Sequence, residues 1–124
     1  MADHNDLGKE AENLAAEYLL KNEYKILVRN FRFKKNEVDI IAEKDNKIIV
    51  IEVKARSTDF FILPQEAVTK SKIKAIVLAA NHFMEEFNKN QEVRFDIITI
   101  LPDKDKKLQI TEHIEDAFEA FDAN

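Results

Sequence analysis

Cysteine is absent from this chain of 124 residues, glycine occurs once (Gly8) and proline twice (Pro64 and Pro102). Without cysteine there is neither a disulfide nor a thiolate metal site, which points towards a cytoplasmic protein. With so few chain breakers there is no linker, repeat or low-complexity tract. Residues 1–124 are therefore expected to form a single domain, long enough to bury a core. No apolar run approaches the roughly 18–20 residues that cross a bilayer. The opening Met1-Ala2-Asp3-His4-Asn5-Asp6 is polar and acidic rather than signal-like, so no membrane partner is expected. The three histidines (His4, His82 and His113) are scattered, which argues against a His-based metal site or triad. A P-loop, a dinucleotide fingerprint and a nucleophile elbow are also missing.

What remains is apolar and charged: 45% hydrophobic and 35% charged residues, with a net charge of −5. The charge is unevenly spread. Residues 1–23 carry 2 basic and 6 acidic side chains, and residues 77–124 carry 5 and 11. Residues 24–76 carry 12 and 7, including Arg29, Arg32, Lys34, Lys35, Lys54, Arg56, Lys70, Lys72 and Lys74. A locally positive surface draws in a polyanion whatever the total charge. An unevenly charged solvated surface explains the same numbers.

Periodicity predicts the elements. Leu7, Ala11, Leu14, Ala15, Tyr18 and Leu19 recur at helical spacing over residues 6–21, with Asp6 as an N-cap. Tyr24–Phe33, Glu37–Glu43 and Lys47–Arg56 read as strands joined by turns at Lys34-Lys35-Asn36 and Lys44-Asp45-Asn46, an antiparallel meander. Ser57–Val68 reads as a loop despite Phe60, Phe61, Ile62 and Leu63. Ile73, Ile76, Val77, Ala80, Phe83, Met84 and Phe87 mark a long amphipathic helix capped by Thr69. Val93–Leu101 is a buried strand, Leu108–Thr111 a short edge strand, and Ile114–Phe121 a closing helix. The order α-β-β-β-α-β-β-α describes an α/β fold, a mixed sheet flanked by helices.

Charged residues in the apolar runs are the candidate chemistry. Asp39 lies in Val38-Asp39-Ile40-Ile41, and thirteen residues later Glu52 and Lys54 close the run Ile48-Ile49-Val50-Ile51-Glu52-Val53-Lys54. Glu52 and Lys54 share one strand face with Ile48 and Val50, so that face begins as core and ends polar. Buried ionised groups need a partner or a metal. Hard oxygen donors without cysteine or clustered histidine favour Mg²⁺ or Mn²⁺. A same-face Glu–Lys ion pair is the plainer reading. Glu12 borders the apolar face of the first helix, either solvated or reaching the acids as a third carboxylate. Lys70 and Lys72 oppose the dipole of the second helix, where they either cradle a phosphate or project into water. Arg94 and Asp96 open another buried run and read as a core-edge ion pair.

Ordered blocks of sequence then resemble a known family. Gly8-Lys9-Glu10-Ala11-Glu12-Asn13-Leu14-Ala15-Ala16-Glu17-Tyr18-Leu19 and Ile26-Leu27-Val28-Arg29-Asn30-Phe31-Arg32 are similar to the opening of the YraN-like family. The likeness continues through Asn36-Glu37-Val38-Asp39-Ile40-Ile41, Ile51-Glu52-Val53-Lys54-Ala55-Arg56 and Pro64-Gln65-Glu66-Ala67-Val68-Thr69 with Lys72. Arg94-Phe95-Asp96-Ile97-Ile98 and Asp116-Ala117-Phe118 complete it, covering about residues 8–118. That family is related to archaeal Holliday-junction resolvases within the PD-(D/E)xK nuclease superfamily, which implies a restriction-endonuclease-like fold. The family usually has glycine at the positions of Ala11 and Asn36, and proline where Lys70 stands. Asparagine tolerates the left-handed conformation that glycine often supplies, so the change at Asn36 is mild.

The resemblance implies roles. Asp39, Glu52 and the Val53 carbonyl match the metal site for Mg²⁺ or Mn²⁺, Lys54 the catalytic lysine, and Glu12 a helix-borne acid that is catalytic or a further ligand. Gln65, Thr69 and Lys72 fall in the block where the resemblance implies nucleic-acid contacts; Lys70 at the helix start and Arg29, Arg32 and Arg56 of the positive span are further candidate contacts read from the residues themselves. The expected activity is metal-dependent endonucleolytic hydrolysis of DNA, branched DNA included; two symmetric nicks would suit a homodimer, and the apolar loop Phe60–Leu63 reads either as its interface or as a lid folded over the core. Two alternatives stand beside it: a non-catalytic nucleic-acid-binding module, and a protein-interaction role for the acidic segment Glu112–Asp122.

Overall fold

The computed structural model describes residues 4–56 and 69–120. Helix α1 (His4–Lys21) precedes strands β1 (Lys25–Phe33), β2 (Asn36–Lys44) and β3 (Lys47–Ala55). Helix α2 (Lys70–Glu86) and strands β4 (Glu92–Pro102) and β5 (Leu108–Phe118) follow. The strands form one sheet in the order β1-β2-β3-β4-β5, antiparallel except for the parallel β3–β4 pair. The expected α/β fold, with its opening meander and flanking helices, is the fold observed. Among the described residues no helix is long and apolar enough to cross a membrane.

The inner strands are buried on both faces, which is why their sequences are almost continuous runs of β-branched residues. Val38, Ile41, Ile48, Val50, Phe95 and Ile97 meet Ile76, Ala79, Ala80 and Phe83 of α2 on one face. Ile40, Ile49, Ile51, Ile98 and Ile100 meet Ala11, Ala15, Ala16 and Leu19 of α1 on the other. The alanines let α1 approach the sheet closely. Each fully buried isoleucine contributes about 1.5–3 kcal/mol, and together they hold rigid the strand ends where the charged residues stand.

Turn chemistry works almost without glycine. The Lys44–Lys47 pair closes a two-residue turn in which Asp45 (φ 52) and Asn46 (φ 62) are both left-handed, the hairpin geometry that Asp and Asn tolerate. At the other hairpin, closed by the Phe33–Asn36 pair, Lys34 takes the left-handed conformation at φ 59. Asn36 opens β2.

Three further expectations are resolved. Thr69 caps α2 as expected, its Oγ1 accepting from the Lys72 N–H at 3.2 Å. Asp6 is not an N-cap, because α1 already runs from His4, in a first turn with no apolar residue to mark it. The closing helix from Ile114 is not present: β5 continues as strand to Phe118. Ile110, Ile114 and Phe118 mimic helical spacing because β5 is irregular. They pair with Ile100, Ile97 and Phe95, so steps of four along β5 match steps of three and two along β4. Asp116, at φ 54, sits in the second irregularity. The Phe60–Leu63 loop and Gln65 lie outside the described residues.

Candidate active site

The ladder between β2 and β3 ends at the Ile40–Ile51 pair. One residue further on, Asp39 replaces it with a side-chain bond: its Oδ2 accepts from the Val53 N–H at 2.8 Å. Val38 and Ile40 join opposite cores although strand alternation would put them on one face, so the pleat is interrupted at Asp39. Asp39 lies between the Arg29–Ile40 and Phe31–Val38 pairs, opposite Asn30, whose φ is 54. Both irregularities fall at the level of the candidate site.

Glu52 continues the face of Ile48 and Val50 and is 3% exposed. Its Oε2 lies 3.8 Å from Lys54 Nζ and 3.7 Å from Lys72 Nζ. Its Oε1 is buried with no hydrogen-bond partner. Asp39 and Glu52 therefore converge with Lys54, and the first turn of α2 adds a second ammonium. Burial raises the Glu52 pKa, and repulsion from Asp39 raises it again; the two lysines offset only part, leaving it pushed up to about 7. Asp39 is also raised, first by burial and then by Glu12, against the bond from Val53 and the two lysines. Both acids are uncomfortable as anions, and each makes the other more so.

Glu12 reaches this neighbourhood from α1 rather than dissolving into solvent. Its Oε1 accepts from Arg29 Nε at 2.9 Å and from Asn30 Nδ2 at 3.0 Å, while Arg29 Nη2 donates to Asn13 Oδ1 at 2.6 Å. A cleft of about 290 Å³ joins Glu12 to Asp39, lined also by Gly8, Val53, Lys54 and Arg56. Arg29, expected to contact nucleic acid, is thus engaged in holding Glu12. Arg32 pairs with Glu37 at 2.9 Å, largely in solvent, and Arg56 lines the cleft with Nη1 donating to the Ala55 carbonyl. Lys70 is exposed at the start of α2, and Thr69 serves as its cap.

A second buried acid was legible only in part. Asp96, 0% exposed, accepts from Arg94 Nε at 2.9 Å and Nη2 at 2.8 Å, the expected ion pair. It also bonds His113 Nε2 at 2.8 Å and the Asp116 N–H at 3.0 Å. His113 Nδ1 in turn meets the Tyr18 hydroxyl at 2.8 Å, and Arg94 Nη2 donates to the Tyr24 hydroxyl at 2.9 Å. Burial would raise the Asp96 pKa, but the bonds from His113, Arg94 and Asp116 outweigh it and hold it low. Nothing local in the sequence links Tyr18 to a histidine 95 residues away.

The donor set suits a hard divalent ion. The unpartnered Oε1 of Glu52 and the raised pKa values of two adjacent acids are what a missing cation would leave. Among the described residues no three His, Cys, Asp or Glu side chains are grouped closely enough to hold an ion by themselves. Two carboxylates with a backbone carbonyl fit Mg²⁺, which keeps several waters, better than an all-protein cage.

Comparison with known proteins agrees with the family resemblance. The model of the family described as Uncharacterised protein family UPF0102 matches residues 11–100. A UPF0102 protein of Christiangramia forsetii is 52% identical over 118 residues, 95% of this chain and 98% of that protein. One from Flavobacterium psychrophilum is 46% identical over 121 residues, 98% and 100% of the two chains. One from Parabacteroides distasonis is 45% identical over 120 residues, 97% and 98%.

Proposed function

The chain belongs to the UPF0102 family, and from that premise we propose that it is a divalent-metal-dependent endonuclease hydrolysing phosphodiester bonds in DNA, branched DNA included. One observation carries this reading: the buried Glu52 carboxylate holds one oxygen between two lysines and leaves the other unpartnered beside Asp39. A purely structural Glu–Lys pair would not call for a second buried acid that raises its pKa.

In this reading Asp39, Glu52 and the Val53 carbonyl hold Mg²⁺ or Mn²⁺. A bound ion of this kind supplies Lewis-acid polarisation of the phosphate and a water of lowered pKa. Lys54, fixed at the end of a buried strand, screens the charge that develops on the phosphate oxygens. Glu12, oriented by Arg29 and Asn30, orders water at the mouth of the cleft or enters the ligand set. Arg56, which lines the cleft, and Lys70, exposed at the start of α2, would contact the flanking backbone, and the N–H groups of the first turn of α2 would add to the attraction for phosphate.

Incubating the protein with single-stranded, duplex, flap and four-way-junction DNA in Mg²⁺ or Mn²⁺ tests the proposal. Cleavage of at least one substrate is expected, and Asp39→Asn or Glu52→Gln should lower it on the order of 100-fold or more while the circular dichroism spectrum is kept. A protein inert on all four that still binds one in a salt-dependent way is a non-catalytic binding module instead. A protein that neither binds nor cuts sinks the nucleic-acid reading altogether.

A further inference from the structure

Lys72 stands out because it has no acid of its own. It belongs to the first turn of α2, a turn with no acidic residue, and its ammonium shares Glu52 Oε2 with Lys54 at nearly equal distances of 3.7 and 3.8 Å. Two cations on one oxygen, with the other oxygen empty, is an uneven use of a buried carboxylate. Charge balance explains it. Asp39 and Glu52 carry two negative charges, and Lys54 and Lys72 carry two positive ones. The nearby Glu12 is already committed to Arg29. A divalent ion on Oε1 would leave the site with two positive charges that no described side chain offsets.

We infer that Lys72 couples the divalent ion to a phosphodiester: without the ion it neutralises Glu52, and with the ion bound it is released to a backbone phosphate. This rests on the metal site proposed above and adds to it a residue and a thermodynamic order. The ion and the anion then favour one another, and by linkage each tightens the other by the same factor. Lys72 is well placed for the exchange. Its backbone N–H is held by Thr69, so the side chain pivots on a fixed base at a helix end that attracts anions.

The test titrates the full chain with Mn²⁺, reading free ion by electron paramagnetic resonance, with and without the dinucleoside phosphodiester dTpdT. A parallel titration without protein corrects for Mn²⁺ held by dTpdT. In the wild type dTpdT should tighten Mn²⁺ by roughly fivefold or more, the lower range of measured couplings. Lys72→Met should bind Mn²⁺ alone more tightly than the wild type, having lost a competing cation, and should lose most of the gain from dTpdT. Lys74→Met removes the same charge from an exposed position of α2 that no described acid pairs with, and should behave as the wild type. Mn²⁺ binding without coupling, or coupling that survives in Lys72→Met, overturns this inference and leaves the metal site standing. A wild type that binds no Mn²⁺ overturns both.

Discussion

Glu52 and Asp96 are the two buried charged residues among those described, and they stand one step apart in the register of adjacent strands. Ile51 pairs with Asp96 and Glu52 with Ile97, so the two acids face opposite helices. Asp96 is saturated, with two bonds from Arg94 and one each from His113 and the Asp116 backbone. Glu52 has two distant lysines on one oxygen, no hydrogen bond to the other, and only a minor contribution from the Asp39 backbone N–H. Equal burial therefore produces opposite electrostatics: a carboxyl held below its ordinary range, and one pushed up to about 7. The difference separates an acid that holds the fold together from the one proposed to bind a metal ion.

The largest test of that contrast is Asp96→Ala. It leaves the Arg94 guanidinium only the exposed Glu115 carboxylate at 3.0 Å and the Tyr24 hydroxyl, breaks the link through His113 to α1, and should cost about 3 kcal/mol in urea denaturation, the lower end for removing one partner from a buried pair. A cost under about 1 kcal/mol would make Asp96 no more structural than a surface acid.

Glu52→Gln should act in the opposite sense, and only at some pH values. Folding raises the Glu52 pKa from 4.5 to about 7, so its contribution to stability is complete below about 4.5 and is lost as pH rises through about 7. In metal-free protein at pH 8 the Gln variant should be the more stable by on the order of 1–3 kcal/mol, with the advantage vanishing near pH 4.5. Asp96 has the reverse dependence: it stabilises above 3.8 and fails as pH falls through its lowered folded value. Stability curves of the two variants that run parallel with pH would erase the distinction between the acids.

The smallest effect expected is that of Tyr18→Phe. It removes one hydroxyl from His113 while keeping the ring packed edge-on against the imidazole, and should cost about 1 kcal/mol. Metal binding at the far face should not change, measured by the same Mn²⁺ titration.

How legible these regions were follows from the distances over which their interactions run. Asp39, Glu52 and Lys54 stood out because charges inside β-branched runs break a pattern visible in seven or eight residues. Glu12 was ambiguous, since its partners Arg29 and Asn30 lie 17 and 18 residues away across a strand whose left-handed Asn30 has no local signature. Lys72 reads as either a phosphate cradle or a solvated lysine, and its contact with Glu52 exists only once α2 is packed over the sheet. His113 looked scattered because its partners are Tyr18 and Asp96. The closing helix was misread for a related reason: irregular pairing along β5 spaces apolar residues four apart, and only the partner strand reveals the irregularity.

Alternation and periodicity are properties of neighbouring residues, so they were sufficient for the meander, both helices, the sheet class and the three charged residues at the strand ends. Whether a buried acid is satisfied depends instead on groups that arrive from other elements. Asp96 receives four bonds, two from Arg94 on its own strand and one each from His113 and Asp116 of β5. Glu52 receives Lys54 from its own strand and Lys72 from α2, both on one oxygen, and the second of these is written nowhere in a local stretch of chain.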